Sequence, residues 1–554
     1  MFFHHASYAF PSEWVLLLDV GLTVLLGAWL LVDRRHGHAL ARRIWHRLRE
    51  TSRRPARLVV ALGLAATLAN ALYTAAVGFP IPAISDELGH LLLADTFAHG
   101  RLTNPPPPAP RYFEAEHVIL DPVYTAKYPP GIGALLAFGQ VVGGHPGIGV
   151  WLGSGLLAGA ACWAVAPFLP PPWPLLGALL VTFRLGLGSY WGHSYWGGAL
   201  PAAAAFVLFG SVARMRRSTG PANALALAVA LAVLATTRPW EGLAVALVCA
   251  VPVTACLVRS TGRGFRRVLV RWLVPFTLGM AAMVAFLAAY NHEVTGDSLV
   301  FPDWHYREAT GFGSAFTFRG SSSEPAAYGF DWGAFAPRTL LSSSAGMLSR
   351  SAFFLLGTPL LVGLAGLVSS PWRRWQGWAL AAWLLCALFL ALDSGGFVPH
   401  YASPALAAAT LLALAGLRRL ATRLGGRRPD RRVPVLALAI SLLLCLIQLP
   451  AWRPDAGDWS RRRAALLAGL EAQGGTHLVL VPDELRRAAE WISNRADWAG
   501  APVLLAADRP PHDELLAAFP ERTVWRLVPE PSPGWPSLVR QQETADTARP
   551  GTSR

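Results

Sequence analysis

Two carboxylates and one amine are placed where they can do chemistry. Asp86 and Glu87 stand side by side just after a long apolar segment. Lys127, the only lysine in 554 residues, lies in Lys127-Tyr128-Pro129-Pro130-Gly131, where the next apolar segment begins. A positioned carboxylate takes the proton of a weak hydroxyl nucleophile. An ammonium stabilises negative charge that develops on a leaving group. The same residues also have a structural reading. Ser85-Asp86-Glu87 is a helix start with first-turn acids that suit the helix dipole, and Lys127 suits a snorkelling position at a membrane surface. The two readings are compatible.

The elements that must position these groups are apolar. Hydrophobic residues make up 53% of the chain and charged residues 15%, against roughly 25% charged in soluble domains. Mean hydropathy is +0.38. Repeated apolar runs have the length of membrane-spanning helices, which need about 20 residues. The expected fold class is therefore an all-α polytopic membrane protein of about 12–13 spans. The net charge of +15 does not point to nucleic acid, because the arginines cluster in short loops between apolar runs. That is the positive-inside pattern. The five cysteines all lie in apolar runs with no CxxC spacing, which gives no disulfide framework and no Cys-based zinc site.

Topology follows from the arginines. The first run, 14–32, has no Arg before it, and the stretch from Asp33 to Arg57 carries nine. The N-terminus is thus expected outside and 33–57 in the cytoplasm. No signal-peptide n-region or cleavage site precedes that run, so it is expected to be retained. Run 58–78 returns outward and places the 79–130 loop outside. Arg214 to Arg217, Arg259 to Arg267, Arg373-Arg374 and Arg418 to Arg432 mark cytoplasmic turns and leave 190–197, 237–241, 291–349 and 393–401 outside. Three runs, 131–144, 147–168 and 173–189, join two external loops, so one of them is expected not to cross. Four regions result: an extra N-terminal helix and basic loop (1–56), a transmembrane domain (57–450) with large loops 79–130 and 291–349, a small external α/β domain (451–530), and a disordered tail (531–554). In the α/β domain, 476–481, 502–506 and 523–528 read as strands and 483–494 as a helix. The tail is rich in Pro, Ser, Thr and charge.

The unusual polar residues then share one face. Asp86, Glu87, His90, Asp95, Asp121, Tyr124, Lys127 and Tyr128 come from the first large loop. Tyr190, Trp191, His193 and Trp196 come from the next turn. Arg238, Trp240 and Glu241 follow, then His292 and finally His400-Tyr401. Each alone also fits an aromatic belt, a helix cap or an interface position. Their joint placement favours function, since ionisable groups at apolar helices tend to mark it.

In this order the motifs resemble the GT-C integral-membrane glycosyltransferases, the superfamily of the bacterial aminoarabinose transferase and the protein O-mannosyltransferases. The matches are Asp86-Glu87, then Lys127-Tyr128-Pro129-Pro130-Gly131 for a Lys-Pro-Pro-Leu-like segment. Tyr290-Asn291 through Thr295-Gly296-Asp297 and His400-Tyr401-Ala402-Ser403-Pro404 follow, with His400 where the family has Arg. The resemblance covers roughly residues 57–420. It implies a bacterial inner-membrane enzyme moving a sugar from a polyprenyl-phosphate donor to a glycan, lipid or protein acceptor outside, by an inverting single displacement. It implies Asp86 as base and Glu87 in support. Lys127, Arg238 and His400 would meet the donor phosphate, and Tyr128, Trp191, His193, Trp196, Trp240, His292 and Tyr401 would line the substrate. The family's second external acid is absent: Trp191 to Trp196 hold its place. No metal ligand set is evident, and a divalent cation is only an option. A transporter or a non-catalytic envelope-assembly scaffold are the competing classes. A transporter would place charges near the midplane, often in inverted repeats, and no repeat is evident.

Overall fold

The computed structural model describes residues 17, 19–25, 28, 34–215, 217, 219–261, 264–311, 337–368, 371–393, 397–426, 429–452, 459–529 and 536–541. The chain divides into two compact units, 1–80 with 128–453, and 81–127 with 454–554.

The first unit is helical. Among the described residues, seven helices are long and apolar enough to cross a membrane: Pro55–Val77, Gly147–Val165, Pro239–Ser260, Phe265–Thr295, Pro337–Ala365, Arg374–Leu392 and Ser403–Gly425. Five shorter apolar helices accompany them: Pro130–Gly143, Trp173–Gly186, Ala199–Met215, Pro221–Thr237 and Arg432–Gln448. The expected first run is described at residues 17, 19–25 and 28, which are helical. Of the three runs in doubt by parity, Pro130–Gly143 and Trp173–Gly186 are each about 21 Å long at 1.5 Å per residue. That is short of the roughly 30 Å hydrocarbon core. The helix Pro337–Ala365 begins inside the loop expected to reach residue 349. Its serines lower the hydropathy but fit the helix, because Ser349 and Ser351 hydroxyls donate to Gly346 and Leu348 carbonyls at 2.9 Å.

Glycines set the closest helix contacts, as expected where bilayer and side chains are equally apolar and backbone approach must supply the attraction. Gly363, Gly366 and Gly416 put two backbones directly against each other, and a methyl on Gly416 would overlap the Gly363 carbonyl. Gly416→Ala is expected to destabilise the helical unit by about 1–3 kcal/mol, the usual cost of overpacking. Thermal unfolding in detergent tests this; an unchanged Tm would show that the two helices separate freely.

One buried charge pair answers a broken helix. Gly357, at φ 62°, interrupts Pro337–Ala365, and Pro359 lies just beyond it. The carbonyls of Phe353 and Phe354 thereby lose their helical donors. The Arg184 guanidinium replaces them at 3.0 and 3.1 Å. The freed Thr358 N–H donates to the Asp19 carboxylate at 3.1 Å, and that carboxylate lies 3.9 Å from Arg184. Asp19 and Arg184 are ionisable groups inside apolar runs, and their backbone bonds give them a structural reason to be there.

The second unit is α/β. Strands β1 (Val118–Ile119) and β2 (Thr125–Ala126) form a small antiparallel pair. β3 (His477–Val481), β4 (Val503–Ala507), β5 (Thr523–Val528) and β6 (Ser537–Arg540) form a sheet in the order β4-β3-β5-β6. β3 pairs in parallel with β4 and β5, while β6 runs antiparallel to β5. β3 and β4 are buried along their whole length, as parallel strands covered on both faces are. The expected strands are present. The 483–494 helix is shorter, Asp483–Ala488, because Ala489 already has extended backbone, φ −163° and ψ 164°. The tail departs from expectation: residues 537–540, read as disordered from their polar setting, form β6, since β5 offers an open edge. Residues 542–554 lie outside the described residues.

The first large loop is part of this unit. Leu478 and Leu480 on one face of β3 share a core with Tyr112 and Phe113. Val479 and Val481 on the other face pack with Trp491 and Ile492. Backbone and side-chain bonds stitch the loop in: Ala496 N–H to the Asp95 carboxylate at 2.8 Å, Tyr124 hydroxyl to the Asn494 carbonyl at 3.0 Å, and Arg509 to Glu114 at 2.7 Å.

Candidate active site

Asp86 is set by a helix start. Pro80 and Pro82 keep the preceding chain extended, Ile84 has extended backbone, and the helix Ser85–Ala98 begins with Asp86 and Glu87 in its first turn. There the partial positive charge of the helix end favours carboxylates. Glu87 is 5% exposed, and its Oε2 accepts the Ala83 N–H at 2.9 Å. Glu87 thus ties down the entry to the helix, while Asp86, 21% exposed, points to other groups.

Those groups come from the hairpin. Its register pairs Val118 with Ala126, so the residues just outside it, His117 and Lys127, lie opposite each other. The Lys127 N–H donates to the His117 carbonyl at 3.1 Å. The His117 Nε2 is 3.3 Å from the Asp86 carboxylate and 3.6 Å from Glu116. His117 adopts a left-handed backbone, φ 67°, which few non-glycine residues do. Such strain often marks a functional turn. Lys127 is 6% exposed.

Glu116 joins the cluster's charges. Burial raises its carboxyl above the usual range, and the nearby charges of Glu490 and Asp86 raise it further. Lys127 and a hydrogen bond with Ser85 act the other way. Glu490, from the C-terminal part of the chain, is likewise raised by burial first; a hydrogen bond with its own backbone acts the other way, and the charge of Asp86 raises it further. Its Oε2 is buried with no hydrogen-bond partner among the described residues. A buried carboxyl left in this state needs an explanation beyond packing.

Raised carboxyls have a definite sign in stability. The folded unit holds its protons above pH 4.5, the ordinary glutamic value, where the unfolded chain has lost them. This contribution is complete below that pH and is lost as pH rises through the raised value. Glu490→Gln mimics the protonated form, so it should raise Tm by about 2–4 °C at pH 8 and change it little near pH 4.5. Differential scanning at both pH values checks this; an equal shift at both would show that charge at Glu490 is not the cause.

The helical unit holds the other expected residues. Arg238 ends the helix Pro221–Thr237 and lays its guanidinium 4.1 Å from the Tyr401 ring centre, a cation–π geometry. It also interacts with the buried Glu241. His400 is 1% exposed: its Nδ1 meets the Tyr190 hydroxyl at 3.0 Å, and Trp196 and Tyr401 flank it. Trp191 packs on Phe354. The indole N–H groups of Trp191 and Trp196 are buried without a hydrogen-bond partner among the described residues. Trp240 stacks on Trp304 at 5.8 Å. Tyr128 is buried, and its carbonyl accepts the Tyr290 hydroxyl at 3.4 Å. His193 packs edge-on to Tyr73, and burial pushes its imidazole down to about 4. It is neutral at pH 7. His292 is exposed on the last turn of its helix.

Sequence reasoning therefore named Asp86, Glu87 and Lys127 but missed Glu116, His117 and Glu490. A Glu-His pair before a Val-Ile strand was the only local signal for the first two. For Glu490 no local signal exists. Among the described residues no group of three His, Cys, Asp or Glu side chains is placed to hold a metal ion.

No family model matches the chain, and no curated protein does. Two solved structures of ArnT from Cupriavidus metallidurans do match. The apo structure has a TM-score of 0.50 and 14% identity, over 84% of this chain and 88% of that one. The structure bound to undecaprenyl phosphate has a TM-score of 0.49 and 14% identity, over 84% and 93%. The likeness shows the fold. This chain has the fold of that ArnT structure, an all-α polytopic fold with a small α/β part as the sequence led one to expect.

Proposed function

We propose that this chain is a membrane glycosyltransferase that moves a sugar from a polyprenyl-phosphate donor to an acceptor at the external face of a bacterial inner membrane. The observation that carries the reading is the hairpin register. It brings Lys127 and the Glu116-His117 pair together, while His117 lies 3.3 Å from Asp86. A carboxylate, an imidazole that orients it and an ammonium thus share one cluster, in a chain with the ArnT fold.

In this proposal the acceptor hydroxyl oxygen attacks the anomeric carbon and its proton passes to Asp86. The bond from that carbon to the phosphate oxygen breaks, and polyprenyl phosphate leaves with the electron pair. One displacement inverts the anomeric centre. The phosphate is already a competent leaving group, so it needs charge stabilisation more than a proton, and Lys127 supplies it. His117 positions Asp86. Glu87 holds the helix start and so supports the base indirectly. Within the helical unit taken by itself, Arg238 has the charge to meet a phosphate. Trp191 and Trp196 bring unpartnered N–H donors, and Trp240 and Tyr401 bring ring faces for a sugar. Enclosed His400 orients Tyr190 rather than meeting phosphate directly. Neutral His193 serves packing or hydrogen bonding, and exposed His292 has the weakest claim on substrate.

Mass spectrometry of lipid co-purified with the full chain tests this class. A polyprenyl-phosphate sugar, consumed on adding acceptor extract, is the expected result. Movement of solute across proteoliposomes with no lipid-linked sugar consumed would overturn the proposal in favour of a transporter.

A further inference from the structure

At the other end of the helical unit from His400 lies a cavity of about 320 Å³ whose wall carries Arg373, Arg418, Arg419 and Arg423. Ser403–Gly425, which follows His400 at its start and carries three of these arginines at its end, is about 34 Å long at 1.5 Å per residue. That length matches a bilayer's hydrocarbon core, so the cavity and His400 belong to opposite membrane surfaces. None of the described residues lining the cavity is acidic.

Four arginines around one space, with Arg418 and Arg419 half-buried, make it favourable for an anion. Arg419 Nη2 donates to the Pro371 carbonyl at 2.7 Å and to the Gln376 side chain at 2.9 Å. Its Nη1 is buried with no hydrogen-bond partner among the described residues. Gln376, 1% exposed, also accepts the Arg373 N–H, which fixes the base of the pocket. Arg423 Nη2 donates to the Val368 carbonyl at 2.9 Å. Backbone and amide groups thus hold the Arg419 and Arg423 heads at the cavity wall, and the Arg419 Nη1 is the donor left for a ligand.

We propose that this cavity binds the phosphate headgroup of an anionic phospholipid. Guanidinium groups suit phosphate oxygens, which accept two parallel N–H bonds. The apolar wall supplies the place for glycerol and the first acyl carbons: Phe168 and Trp375 pack at 5.0 Å beside the arginines. Lipid is favoured over a free anion because the arginines are bordered by exposed apolar side chains. Val368, Trp372 and Leu424 are 68%, 46% and 59% exposed. Aromatic and apolar groups beside a basic pocket at a helix end are the setting in which lipid headgroups bind. The site is independent of the proposed sugar transfer, and it would tie the helical unit to the anionic leaflet.

The test uses the full chain in neutral detergent, titrated separately with cardiolipin, phosphatidylglycerol, phosphatidylcholine and inorganic phosphate. Bound lipid is counted by native mass spectrometry and protection is read as Tm. Cardiolipin and phosphatidylglycerol are expected to bind at least tenfold more tightly than phosphatidylcholine, and millimolar phosphate to protect less than either. Arg373→Gln with Arg418→Gln should abolish that preference while keeping the Tm of the lipid-free protein. Ala415→Trp, which fills the cavity and keeps every arginine, should do the same if the first variant fails to fold. Equal binding of neutral and anionic lipid, an anionic preference that survives Ala415→Trp, or protection by phosphate as strong as by lipid would each overturn the proposal.

Discussion

Asp86→Asn should lower sugar transfer by about 10²- to 10⁴-fold, the usual worth of a positioned general base. Asn keeps the size and the helix-start position of Asp86 but cannot take a proton. It also weakens the contact with His117 Nε2, now 3.3 Å away. The loss should fall on kcat, because the proton is transferred only as the new bond forms. Donor affinity should change little. The variant should fold, since Glu87 and not Asp86 accepts the Ala83 N–H that closes the helix entry. A single-turnover assay with purified protein and lipid-linked sugar reads the effect. Transfer within a factor of three of the parent would remove Asp86 from the role of base.

Lys127→Met comes next in size, with an expected loss of about 10²- to 10³-fold, comparable to removing one preorganised charge donor from a transition state. Methionine preserves the buried aliphatic stem, which matters because Lys127 is 6% exposed, and it removes only the ammonium. The Lys127 backbone bond to His117 survives the substitution, so the hairpin should keep its register. The charge removed is one that opposes the raised carboxyl of Glu116. The variant should therefore bind a proton more readily at Glu116, and its stability should fall more steeply as pH rises. A loss of transfer with no change in the pH profile of stability would place Lys127 away from Glu116 in solution. A change in pH profile with full transfer would leave it a structural cation.

Both substituted residues can be read from sequence. Asp86 and Lys127 were legible because each was anomalous where it stood, an acidic pair and a lone lysine beside apolar helices. Arg238 and the Trp/Tyr turn were legible for the same reason. Their surroundings were not. The resemblance gives His400 the donor phosphate, and the sequence carries no sign that Tyr190 and Trp196 enclose it. His193 reads as a polar contact, yet burial makes it neutral. Burial depends on which helices meet, and short apolar motifs do not encode that choice.

The sequence by itself determined the class of molecule. Hydropathy at the length scale of a bilayer, arginines sorted between runs, and β-branched stretches after residue 470 are local properties, and each carries its physical cause within about 20 residues. Only the tertiary structure decided which distant pieces share an environment. The 81–127 loop, which follows one apolar helix and precedes another, folds with residues 454–554, because Tyr112 and Phe113 complete a sheet core that the C-terminal strands leave open on one face. That packing brings the charge of Glu490 to bear on Glu116 and the charge of Asp86 on Glu490. A hairpin of two-residue strands then sets His117 opposite Lys127. A register is a property of two strands at once, and a buried carboxyl is a property of everything around it, so neither is written in any one stretch of the chain.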